Sequence, residues 1–190
     1  MQPSGKKPAA PSPALLAWYN AVPNVFWSVL SLGPISVFCY QHMARPWLYG
    51  LLALSVVGYV LPVAGLRWLQ LSARPAAYRR LGVPVVNRFT QHGAIINGLL
   101  RRRYPGYRHV RTRVSVAALV RTTYQQERFH LGLGLFFLPT SLYAAAHGYW
   151  GWALLLLLTN VVYNLYPIWL QQYIRVRLGP AVAGPQTELA

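Results

Sequence analysis

The chain has 190 residues, 55% of them apolar, a formal net charge of +16, and only two acids, Glu127 and Glu188. A soluble domain carries about 25% charged residues of mixed sign; the share here is 11%, which excludes an ordinary water-soluble globule and points to lipid as the main solvent. The single cysteine, Cys39, excludes a disulfide framework or a cysteine zinc site within one chain; in its apolar setting it reads as a small hydrophobe.

In chain order, residues 1–24 read as an N-terminal cytoplasmic segment with Lys6 and Lys7. No short apolar core with a cleavage site follows, so the first apolar run is expected to be a retained span rather than a signal peptide. That span is Val25 to Tyr40, with Leu15 to Tyr19 able to extend or anchor it, and Trp47 to Leu66 completes a transmembrane hairpin over residues 25–71. Residues 72–128 form a basic loop holding twelve Arg. Within it, Val85, Val86, Phe89, Ile95, Ile96, Leu99 and Leu100 recur as an approximate helical stripe ending in Arg101, Arg102 and Arg103, the pattern of a helix lying in the headgroup layer. Tyr104-Pro105-Gly106 signals a turn. A second helix is expected to start near Ser115 and run through Glu127 into the third span, Phe129 to Ala146. The fourth span, Trp150 to Leu170, completes a second hairpin over residues 129–174, and residues 175–190 form a tail whose last dozen residues look disordered.

The fold class expected is therefore an all-α membrane protein with about four transmembrane helices plus amphipathic interfacial helices in the central loop. Pro34, Pro62, Pro139 and Pro167 predict kinks, and Trp47, Trp68, Tyr149, Trp150 and Tyr173 predict an interfacial belt. The first and third connections hold only Arg45, against twelve Arg in the central loop. The positive-inside rule then places the loop and both termini in the cytoplasm, in a bacterial inner membrane.

Glu127 stands at the mouth of the third span, three residues before His130, so on a helix the two share a face. A carboxylate at this depth is costly unless paired. It reads either as part of a site with His130 or as a partner for Arg128, Arg121 or another loop arginine. His130 in turn reads as a functional imidazole or as one bonded to lipid or backbone. On the fourth span, Asn160, Asn164, Gln171 and Arg175 fall on one stripe, which must face protein or a wet cavity and can be a site or a helix–helix glue. Together these residues suggest a site at the cytoplasmic membrane surface. His42 and His147 fall on the other side, and His92 and His109 lie in the basic loop. No metal-ligand set is expected, although Glu127 and His130 alone have the spacing of two ligands, and no nucleotide-binding fingerprint is present.

The Glu127-x-x-His130 motif, the closing stretch from Asn164 through Tyr173, Arg175 and Arg177 to Leu178, and Leu81-Gly82-Val83 resemble the bacterial glycosyl-4,4'-diaponeurosporenoate acyltransferases over roughly residues 75 to 178. The chain departs from that pattern at Ile174, where the family tends to carry Asn, and at Thr122 and Gln125, where the family is more acidic. The resemblance implies transfer of a fatty acyl group to a hydroxyl of a glycosylated carotenoid or similar glycolipid. Acyl transfer needs a base and oxyanion donors, for which the candidates are His130 as base, with Glu127 orienting it or stabilising its charged form, and Asn164, Gln171 or Arg175 for the oxyanion or sugar hydroxyls, with Asn160, Tyr173 and Arg177 as further substrate contacts. No resident cofactor is implied; an acyl-CoA or acyl-carrier protein is the co-substrate, with Arg101, Arg102 and Arg103 suited to its phosphates. Two competing readings are a methyltransferase or reductase, and a non-enzymatic scaffold binding anionic lipid or a partner through the Arg loop. Nucleic-acid binding lacks a recognition fold.

Overall fold

The structure, a computed structural model, describes residues 10–90, 93–105 and 113–183. Lys6, Lys7, His92, Gly106, His109 and the tail from residue 184 lie outside them. The described residues are all-helical.

The Ser12 hydroxyl accepts the Leu15 amide at 3.2 Å and Pro13 occupies the first turn, so α1 begins at Pro13 and runs to His42. It thus absorbs Leu15 to Tyr19 into the first span. A short extended link at Met43 and Ala44 leads into α2, Arg45–Val60. The second expected span does not form one helix. It divides at Leu61–Pro62, because Pro62 has no amide to continue the ladder, and resumes as α3, Val63–Trp68. Arg128 Nε donates to the Leu61 carbonyl at 2.7 Å, satisfying the broken end from a neighbouring helix. Among the described residues three helices are long and apolar enough to cross a membrane: Pro13–His42, Val116–Ala146 and Trp150–Leu178. The 16-residue α2, about 24 Å long at 1.5 Å per residue, falls short of that length.

The central segment folds as α4, Pro75–Arg80, α5, Val83–Val86, a 3-10 turn at Asn87–Phe89, and α6, Ala94–Arg103. Gly82 takes φ 73° between α4 and α5, a conformation that favours glycine. The expected apolar stripe is thus split. In α6, Ile96 and Leu100 join Tyr104 in a buried cluster against Leu15, Leu16 and Tyr19 of α1, while Ile95 and Leu99 stay exposed. Helices α4 and α5 pack on the last helix through Tyr78, Val83, Leu170 and Tyr173.

One continuous helix, α7, spans Arg113–Ala146, as the expectation of a helix entering the third span anticipated. Gly148, at φ 81°, turns the chain into α8, Trp150–Asn160. A π turn at Val161–Leu165 joins α8 to α9, Tyr166–Ala183. Pro167 follows it without an amide to donate to the Tyr163 carbonyl, and the Tyr166 amide reaches the Val161 carbonyl rather than that of Val162.

Helices α2 and α7 run antiparallel and meet backbone to backbone. A Cβ on Gly58 would lie 2.8 Å from the Gly132 Cα, the small-residue contact used between membrane helices. The two hairpin turns lie at one end, where Ile35, Phe38, Cys39, Met43, Leu51, Phe137, Ala144 and Leu156 form the main core. The rings of His42 and Tyr149 are 4.6 Å apart there. Outward-facing Val25, Phe26, Val29, Val56, Val57, Leu154 and Leu158 are exposed, as lipid contact requires.

Candidate functional site

The buried face of α7 carries Thr123, Glu127, Phe137, Ser141 and Ala144, with His130 and Gly134 in the same three-and-four spacing. Against it lies the α8–α9 helix with its π turn. Two polar groups form along this contact, one turn of α7 apart.

The first is built around Glu127, only 1% exposed. Arg175 Nη2 is ion-paired with Glu127 Oε2, and Gln172 Nε2 donates to Oε1 at 2.7 Å. Arg175 Nη1 donates to Thr123 Oγ1 at 3.4 Å, and its guanidinium lies 4.1 Å from the centre of the Tyr124 ring. Gln172 Oε1 accepts the Leu71 amide at 3.1 Å and the Tyr78 hydroxyl at 3.2 Å. The Tyr78 hydroxyl shares its one hydrogen between Gln172 Oε1 and the Ser72 carbonyl, 2.9 Å away, and accepts the Ser72 amide at 3.2 Å. Burial pushes the Tyr78 hydroxyl pKa up from its ordinary 10.0, outweighing the Ser72 hydrogen bond and the Arg175 charge. A buried charge survives where it is paired and its remaining oxygens are bonded, and Glu127 meets both conditions.

The second group surrounds His130. Its ring packs edge-on to Tyr163 with centroids 5.6 Å apart, within electrostatic reach of the Asn164 side chain and the Tyr163 carbonyl. That carbonyl is the one Pro167 leaves without its helical donor. The Tyr163 hydroxyl and Ser28 Oγ of α1 share a hydrogen bond of 3.0 Å. Asn164 Nδ2 donates to Asn160 Oδ1 at 2.8 Å, and Asn160 Nδ2 donates to the Gly134 carbonyl at 3.4 Å. Among the described residues, His130 Nδ1 and Asn164 Oδ1 are buried without a hydrogen-bond partner, which is uncommon for native polar atoms.

The structure therefore brings Glu127 to Arg175 and His130 to Asn164 and Tyr163; no hydrogen bond joins Glu127 to His130 among the described residues. Asn160, Asn164 and Arg175 share the interface. The half-buried Gln171 side chain makes no hydrogen bond among the described residues, and its neighbour Gln172 takes the buried position, because the π turn carries one more residue than an α turn and rotates the helix beyond it. Tyr173 packs beside Tyr78, with centroids 6.0 Å apart, and Arg177 is exposed with its guanidinium 5.4 Å from the Tyr173 ring. Arg101, Arg102 and Arg103 are exposed on α6 and form no ion pair among the described residues. Sequence reasoning missed Gln172, Tyr78 and Ser28; only the adjacent Gln171-Gln172 pair offered a signal. Among the described residues no group of three His, Cys, Asp or Glu is placed to hold a metal.

Residues 62–183 match the family model described as glycosyl-4,4'-diaponeurosporenoate acyltransferase, a segment running from the α2–α3 break to the end of α9. No curated protein and no solved structure matches the chain.

Proposed function

The chain belongs to the glycosyl-4,4'-diaponeurosporenoate acyltransferase family, an enzyme family of carotenoid biosynthesis, and from that premise we propose that it transfers a fatty acyl group to a hydroxyl of a glycosylated carotenoid or similar glycolipid. The observation that carries the reading is the unpartnered pair His130 Nδ1 and Asn164 Oδ1, buried inside the matched segment. Asn164 Nδ2 is already engaged by Asn160, so the free atom of Asn164 is an acceptor. It suits holding an Nδ1–H tautomer of His130, leaving Nε2 as the base. The acceptor oxygen then attacks the acyl carbonyl of a thioester, an acyl-CoA or acyl-carrier protein. The C–O ester bond forms, the C–S bond breaks, and the proton taken by Nε2 passes to the leaving thiolate. Glu127 fixes Arg175 and Gln172 below this point and so holds α9 against α7 in the register the site needs.

The membrane arrangement follows the same reading. Helix α2 with α3 completes a four-pass bundle, with both termini and the central segment in the cytoplasm of a bacterial cell. Supporting it, the end bearing both hairpin turns carries Arg45, while Arg67, Arg128 and Arg175 cluster toward the opposite end. Exposed Ile95 and Leu99 beside Arg101, Arg102 and Arg103 suit α6 to the headgroup layer.

The test is mass spectrometry of lipids and pigments from cells expressing the wild-type chain, the His130→Ala variant, or neither. An acylated glycolipid or glycosyl carotenoid is expected only with the wild type. Undiminished acylation by His130→Ala removes His130 from the mechanism, and an unchanged lipid profile with the wild type removes the activity.

A further inference from the structure

Below the ion pair, Arg67, Gln70, Tyr124, Arg175 and Val176 line an open cleft of about 390 Å³. Two guanidiniums converge on one aromatic ring in its wall. Arg175 lies over the face of Tyr124, and Arg67 Nε donates to the Tyr124 hydroxyl at 3.5 Å. Glu127, the only carboxylate among the described residues, is committed to Arg175, so one positive charge is left over in the cleft. Arg175 is 7% exposed, and its Nε has no hydrogen-bond partner among the described residues. Arg67 is exposed at the rim. The wall thus holds a buried cation, an exposed cation and Gln70, whose amide nitrogen donates to the Ser72 carbonyl at 3.0 Å. Planar guanidiniums with unspent donors are the side chains best matched to phosphate oxygens.

We propose that this cleft binds a phosphate group, held between Arg67 and Arg175 beside Tyr124. As the anchor for an acyl donor it rests on the acyl-transfer reading; as an anion site it rests on the charge balance alone. Phosphate here has two possible sources, a soluble thioester carrier or the headgroup of an anionic phospholipid, and the geometry suits the shared group.

The experiment uses the full chain in phosphatidylcholine nanodiscs. Coenzyme A binding is measured by calorimetry, and retention of phosphatidylglycerol doped into the discs by native mass spectrometry. Arg67→Gln is expected to weaken binding about tenfold, the scale of one charge-assisted hydrogen bond. Arg67→Lys is expected to keep most of it, and Arg45→Gln, at the opposite end, to change nothing. A loss confined to coenzyme A assigns the phosphate to a soluble donor; a loss confined to phosphatidylglycerol assigns it to a lipid headgroup. Unchanged affinity for both in Arg67→Gln, or an equal loss in Arg45→Gln, overturns the proposal. Acyl transfer measured on the same samples separates the two ideas. Arg67-dependent binding without turnover sinks the activity and leaves the cleft standing. Turnover with Arg67-independent binding sinks the cleft alone.

Discussion

Arg175 holds Glu127 in an ion pair whose side chains are 6% and 1% exposed, across the contact between α9 and α7. Each charge is tolerable there only because of the other. Glu127→Gln is therefore expected to destabilise the protein by about 3–5 kcal/mol, since it strands a buried guanidinium. The double variant Glu127→Leu with Arg175→Leu is expected to cost less than the sum of the single changes. Unfolding of the purified protein in detergent measures both, and additive effects would show that the pair is not coupled.

Gln172 joins three segments: its amide nitrogen donates to Glu127 Oε1 and to the Leu69 carbonyl, and its oxygen accepts from the Leu71 amide and the Tyr78 hydroxyl. Gln172→Ala is expected to cost about 1–3 kcal/mol, as buried partners lose their bonds. Gln171→Ala should stay within about 0.5 kcal/mol. Equal losses at the two positions in the same unfolding assay would contradict the register set by the π turn.

Gly58 and Gly132 leave no room for a methyl group between α2 and α7. Gly132→Val is expected to destabilise by at least about 1–3 kcal/mol, the range for overpacking. The same change at Gly50, where a Cβ meets nothing within 4 Å, should be tolerated. Detergent-resistant folding after purification reports the difference.

Asn164 Oδ1 and His130 Nδ1 are both buried without a hydrogen-bond partner among the described residues. On the proposed mechanism, Asn164→Ala is expected to lower kcat by roughly 10–100-fold with little change in the KM of the acceptor, because it removes orientation of the proposed base rather than binding. As a positioning residue it should also alter the pH profile of kcat, whereas a merely structural role would leave the profile in place.

Tyr78 gives the fold an alkaline limb. Its hydroxyl is raised above 10.0 by burial, so the folded state favours the protonated form. The resulting stability is fully present below the unfolded value of about 10 and is lost as pH rises through the folded value. Tyr78→Phe is expected to flatten the fall in stability above about pH 10, although it removes the bonds to Ser72 and Gln172 at all pH. An unchanged alkaline slope in pH-dependent unfolding would refute the assignment.

Much of this architecture could be read from residue types alone. A chain with almost no acids announces Glu127 by scarcity, and the membrane part of α7 follows from the apolar run that begins at Phe129. Asn160, Asn164 and Arg175 were legible because polar groups on a membrane helix need protein partners. The partner of Glu127 was not legible, because local spacing favours His130, one turn away, while the ion pair depends on packing between segments 48 residues apart. Pro62 announced a kink, but not that the helix would stop and have its open carbonyl closed by Arg128. Ser28 is one hydroxyl among several on α1, and nothing in its neighbours points to Tyr163.

The wide turn at Val161–Leu165 acts like a leap day in the last helix. Residues before it and after it keep different calendars, so counting from Asn164 in multiples of the ordinary repeat arrives one place early. Relatives that lack the turn will match this chain at its Glu127-facing amide only after a single-residue gap. Deleting one residue here would remove the wide turn and leave Gln172 on the carboxylate, whereas winding the same residues as a plain α-helix would bring Gln171 there, making the insertion itself a dial on which side chain serves the ion pair.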